Sequence, residues 1–160
     1  MERTHMAILE INGQEYEAKG SFAFARKADD LLGTIAEKSK TGKQEGGLNN
    51  LLGELIDGAK DLDALMHFWQ CALAHEKKIK LTDIESALEK RIEEEGTLEL
   101  IKEAYAVIDE SGFFKRAVEK FWSNVDIMSK IESDDEKENQ QYQLAIEMMT
   151  KAKAELTSTK

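Results

Sequence analysis

A chain of 160 residues with a net charge of −10 and a single cysteine has room for one domain with a real core. It holds no pair of thiols for an intrachain disulfide, and too much negative charge for a phosphate backbone to be its main partner. No apolar run approaches the roughly 18 residues a membrane helix needs, and MERTHMAILEI lacks the apolar stretch of a signal peptide.

The chain contains no proline, where average usage would put roughly eight. Removing the main helix breaker throughout predicts a mostly helical protein. One unpaired thiol fits a reducing cytosol. Met6 offers a second start, with residues 1 to 5 as a poorly ordered leader.

In chain order, AILEINGQEYEA (7 to 18) predicts a β-hairpin about Asn12-Gly13, the strongest short signal for a two-residue turn. That turn pairs Ile11 with Gln14, Leu9 with Tyr16 and Ala7 with Ala18. Leu9, Ile11 and Tyr16 then share a face that must lie on helices, because an isolated hairpin is marginal in water. No further regular β-structure is expected. Ser21 caps a first helix running to about Lys38, with Phe24, Ala25, Ala28, Leu31, Leu32 and Ile35 as its stripe. KSKTGKQEGG (38 to 47) has no apolar residue and reads as a mobile, locally basic loop.

Leu48, Leu51, Leu52, Leu55 and Ile56 form a short second helix that ends at Asp57-Gly58. The third, DLDALMHFWQCALAHE (61 to 76), carries the richest stripe: Leu62, Leu65, Met66, Trp69 and Leu73, widened by Phe68 and Ala72. Full burial of each large side chain contributes roughly 1.5–3 kcal/mol, so this helix is the expected centre of the core, with Asp61 as its cap. Thr82 to Glu85 has the pattern of a capping box for a fourth helix through Ile84, Leu88 and Ile92. A fifth runs from Thr97 through Tyr105 and Ile108. The sixth presents Phe114, Val118, Phe121, Val125 and Met128. These short spacings suit a compact bundle.

Composition turns polar and acidic at about residue 132, which divides the chain into a helical domain (1–132) and an acidic hinge with an amphipathic tail (133–160). Three readings stay open for the last helix: docked on the core, an arm that binds a partner, or no fixed structure. The fold class expected is mainly α, a compact helical domain with an N-terminal hairpin and a C-terminal helical arm.

Few residues are arranged for chemistry. His67, Cys71 and His75 stand at i, i+4 and i+8, but eight residues of helix rise about 12 Å, too far for both histidines to reach one ion at bonds of about 2 Å. The carboxylate runs Glu93 to Glu95 and Asp134 to Glu136 have no apolar neighbours to raise a pKa. No phosphate-binding, nucleophile-elbow or dinucleotide-binding glycine pattern occurs. The expectation is no enzyme, no cofactor and no metal.

The order of features does resemble a family. Ile11 to Glu17 (INGQEYE), a helix that opens Phe-x-Phe, Gly47 to Gly58 (GLNNLLGELIDG), Leu62 to Ala74, Thr82 to Leu88 and Ser111 to Lys115 (SGFFK) carry the likeness. Together, over about residues 7 to 130, they resemble the tail assembly chaperones of long-tailed phages and prophages of Gram-positive bacteria.

The resemblance implies a small, mainly helical protein of the bacterial host cytoplasm that is absent from the mature virion. Such a protein binds the tape measure protein, and other tail proteins besides, and keeps it soluble. The family often also makes a longer product by translational frameshifting. Neither nucleic acid nor membrane is an expected partner, and self-association stays open. A small oligomeric helical adaptor without enzymatic activity is the alternative, with a metal-dependent sensor behind it. Apolar residues left for partner binding are Phe113, Phe114 and Trp122, and on the last helix Tyr142, Ile146 and Met149.

Overall fold

Asn12 and Gly13 both take positive φ, at 52° and 80°, in the computed structural model, which describes residues 7–35, 44–128, 130 and 135–157. Those left-handed angles match the twist of the flanking strands and close β1 (Ile8–Ile11) onto β2 (Gln14–Glu17). The register is the expected one: Leu9 opposite Tyr16, Ile11 opposite Gln14, and the Ala18 N–H donating to the Ala7 carbonyl at 2.8 Å. Leu9 and Ile11 are buried, and Glu10, Glu15 and Glu17 face water. Through β1 the hairpin rests on the helix Leu81–Glu95, α4.

Ser21 Oγ accepts from the Phe24 N–H at 3.1 Å and starts α1 (Phe22–Leu32). The helix stops short of the expected Lys38. Gly33 donates its N–H to Asp29, and the chain turns extended. Thr34–Ile35 forms β3, paired antiparallel with β4 (Gln44–Glu45). Hence the hairpin at 7 to 18 is not the only regular β-structure, and Ile35 leaves the helical stripe to stand 59% exposed. Residues 38–43 of the expected basic loop (38–47) lie outside the described residues.

Gly46 and Gly47, read from sequence as the end of that loop, instead begin α2 (Gly47–Asp57). Gly46 takes φ 81° as the N-cap. Gly47 is glycine for a different reason: its N–H donates to Asp29 Oδ1 at 2.9 Å, and a Cβ there would overlap the backbone of Ala28 and Asp29. Asn50 Nδ2 adds a bond to the Leu32 carbonyl at 2.6 Å, so each of α1 and α2 sends a side chain to the backbone of the other.

Helix α3 (Asp61–Ala72) packs on α1, α2, α4 (Leu81–Glu95) and α5 (Thr97–Asp109) and is the centre of the core, as expected. Leu65, Trp69 and Leu73 are buried, with Ala64, Phe68, Cys71 and Ala72. Leu62 is not; it stands 61% exposed in the first turn. Small side chains let neighbouring helices close in, so the buried face is turned toward the alanines and the cysteine rather than toward every bulky residue. Asp61 is not the cap either. That place falls to Lys60, and Asp61 Oδ2 accepts from Thr97 Oγ1 at 3.1 Å, tying α3 to the start of α5.

The capping box is also displaced. Helix α4 begins at Leu81, leaving Thr82 exposed inside its first turn. Lys80 donates its N–H to Asp83 Oδ2 at 3.0 Å, and Asp83 donates its N–H to the Lys80 carbonyl at 3.0 Å; the lysine side chain has no acceptor to offer. Phe114 is buried immediately before α6 (Lys115–Met128). Beyond it, α7 (Glu136–Leu156) lies on α2 and α5. None of the helices among the described residues is long and apolar enough to cross a membrane.

One cation ties three elements. Arg91 of α4 donates to Glu95 at 2.8 and 3.0 Å, to Glu103 of α5 at 2.7 and 3.1 Å, and to the Ile8 carbonyl of β1 at 3.1 Å. Burial works against its charge, but the two carboxylates outweigh that and raise its pKa above the ordinary value. The same hydrogen bond holds the Glu95 carboxyl below its ordinary value, against a smaller desolvation effect.

Two outcomes follow from this packing. Gly47→Ala should destabilise the chain by about 1–3 kcal/mol in denaturant unfolding, because the clash is with backbone that has no rotamer to change. Arg91→Ala should cost about 1–2 kcal/mol at neutral pH, the exposed Glu95 arm being screened by water. Since the folded-state pKa of Glu95 is depressed, its contribution is present above the unfolded value, about 4.3, and is lost as pH falls through the folded one. The stability gap between wild type and Arg91→Ala should therefore narrow below about pH 4, and a constant gap would exclude the carboxylate.

Candidate functional site

The residues expected to bind a partner divide between two apolar places at the surface. At the first, an aromatic ladder rises out of the core. Phe68 of α3 meets Phe24 of α1 at 5.9 Å between ring centroids, and Phe24 meets Phe114 at 4.9 Å. Phe114 meets Phe113 at 4.9 Å, and Phe113 meets Phe22 edge-on at 5.0 Å. The inner rings are buried; Phe113 is 44% and Phe22 72% exposed. Phe114, expected at a partner surface, is thus a core residue that supports Phe113 from beneath. Phe22 had not been singled out. Its signal was there: a phenylalanine in the first turn, off the Phe24/Ala28/Leu31 stripe.

The second place is the seam of α7. Trp122 is half-buried and donates its Nε1–H to Tyr105 Oη at 2.8 Å. Lys153 of α7 sets its Nζ 4.7 Å from the centroid of the Trp122 ring, a cation–π contact. Ile146 and Met149 turn toward the domain and are packed on the core, Tyr142 is half-buried, and Leu144 and Met148 face outward. Between α7 and the end of α2 a cleft of about 620 Å³ is lined by Gly53, Ile56, Met148 and Met149 among others.

Helix α7 is lightly seated. Of its 21 residues only Leu156 is buried outright, with Asn139, Tyr142, Ile146, Met149, Ala152 and Lys153 partly so. One full burial contributes about 1.5–3 kcal/mol, while each ordered backbone residue costs about 1–2 kcal/mol, so the helix depends on its internal hydrogen bonds as much as on its seat.

The histidine–cysteine series is used for structure. His67 is half-buried and bonds Glu54 of α2 through Nδ1 at 2.7 Å. Cys71 is fully buried, and burial pushes its thiol up to about 12. His75 lies beyond the helix, 3.6 Å from Glu76. Among the described residues no group of three or more His, Cys, Asp or Glu is placed to hold a metal ion.

With that geometry in hand, comparison with known families is decisive. Residues 8–123 match the model of the family described as phage tail assembly chaperone protein, TAC. The chain belongs to the phage tail assembly chaperone family. The match spans the hairpin, α1 to α5 and most of α6, including the aromatic ladder and Trp122; α7 lies beyond it. No curated protein and no solved structure matched this family member.

Burial gives one direct test at Cys71. At pH 8 a thiol of pKa about 12 is ionised on the order of one part in ten thousand. A thiol reagent should leave the folded chaperone unlabelled over hours and label it within minutes in denaturant. Rapid labelling of the native chain would show that α3 is not enclosed as described.

Proposed function

We propose that this chain binds an apolar-faced helical segment of the tape measure protein of a phage tail and keeps it soluble until the tail tube has assembled around it. It acts in the bacterial host cytoplasm, turns nothing over and has no place in the finished virion. The observation that carries the reading is the family match over residues 8–123.

The surface chemistry supports it. Amphipathic client helices bind by inserting apolar anchors between packed helices, and the exposed pair Phe22 and Phe113 offers rigid aromatic area of the kind that dominates such contacts. Around α7, Trp122 and the seat that Ile146 and Met149 occupy mark a second contact region. Met148 is exposed beside them, and its thioether adapts to irregular partners. A net charge of −10 keeps a complex with an aggregation-prone client in solution.

Co-expression with the tape measure protein of the same phage tests this. The two should co-purify, and the soluble fraction of the client should rise. The double variant Phe22→Ala/Phe113→Ala should lower capture about tenfold, equivalent to about 1.4 kcal/mol, with little change in Tm because both rings are largely exposed. A client equally insoluble with and without the chain would overturn the reading.

A further inference from the structure

The groove under α7 is known to accept a helix, because one lies in it. Its seat has a legible pattern: Ile146, Met149 and Leu156 face the domain, and between them Lys153 reaches the Trp122 ring. Lys153 is also within electrostatic reach of Asp109, whose carboxyl is pushed above its ordinary value by burial and by Glu110, with Lys153 opposing both. A half-open cleft remains along α2. A groove that takes one amphipathic helix of this pattern takes another.

We propose that this groove is a second client-binding surface, beside the aromatic ladder, and that α7 is its removable cover, displaced by a client helix that presents apolar residues at the Ile146, Met149 and Leu156 spacing and a lysine or arginine at the Lys153 position. The proposal rests on the chaperone reading above and adds a surface to it. Charge selects the occupant. A tryptophan face and a partly desolvated carboxylate both favour a cation, and the chain as a whole attracts basic segments.

A cover in cis also explains how a client-binding protein remains free of its own aggregation between clients. The closed fraction lowers apparent affinity in proportion, and a cover that buries only one residue outright is one a client can dislodge. The ladder at Phe22 and Phe113 carries no comparable pattern, since no helix among the described residues is seated on it.

The test uses the full chain, a fluorescent peptide with the sequence of residues 136–157, and the tape measure protein. Lys153→Glu replaces attraction to Trp122 and Asp109 by repulsion and loosens the cover without touching the core; Lys153→Arg keeps it. The peptide should bind the Lys153→Glu chain at least tenfold more tightly than the wild-type and Lys153→Arg chains, and the tape measure protein should displace it. A peptide carrying the Lys→Glu change should lose binding to all three.

Equal peptide affinity across the three chains overturns the proposal. So does a Lys153→Glu dimer that exchanges α7 between copies, detected by light scattering, because the occupant is then a second copy. If the tape measure protein binds all three equally and leaves the peptide in place, the cover is refuted while the chaperone reading stands. If the peptide behaves as expected and the tape measure protein binds none of them, the chaperone reading falls and the displaceable cover stands.

Discussion

Enclosing α3 depends on how closely α1 and α2 can approach each other and the central helix. Gly47 lets α2 start against the backbone of Ala28 and Asp29, and Ala64, Cys71 and Ala72, buried alongside Leu65, Phe68 and Trp69, let neighbouring helices come close to α3. Close packing of this kind is as dense as an organic crystal, so the neighbouring helices inherit their positions from it. The placement of α1 sets Phe24 on Phe68, and Phe24 in turn sets Phe114. An exposed aromatic pair so supported is presented rigidly. The same enclosure takes Cys71 out of chemistry, since a thiol with no water to stabilise its charge does not ionise.

Electrostatics does separate work at the other side of the domain. The hairpin is too small to be stable alone, and its apolar face is secured on α4 by Arg91, which bonds a strand carbonyl and two carboxylates at once. The remaining charge among the described residues is at the surface with acidic groups in excess, which gives solubility rather than fold.

Two apolar surfaces of different character therefore coexist in this family member. One is an extension of the core and belongs to the matched region; the other is a seam closed by a helix that lies beyond it. Under the proposed function both would serve, because rigid anchors favour capture and a light contact allows exchange.

Several features were legible in the sequence because they are local. Asn12-Gly13 needs positive φ wherever it occurs, so turn, register and buried face followed together. Ser21 capped its helix, and the 3.6-residue spacing marked each long helix and the Leu65/Trp69/Leu73 core positions. The ordered run of short motifs pointed to the family. What tertiary structure decided concerns which of several locally equivalent residues meets a neighbour. Leu62 and Leu65 are alike in sequence, yet only Leu65 has helices over it. Ile35 fits a helical stripe but belongs to a strand pair that takes shape when the chain returns as Gln44 and Glu45. Phe113 and Phe114 are adjacent and identical, and the ladder alone makes one a surface anchor and the other core. The seat of α7 also depends on residues such as Trp122 and Lys153, which are remote in sequence and whose pairing no local pattern encodes. Local backbone preference is written in neighbouring residues; burial is a property of what arrives from elsewhere.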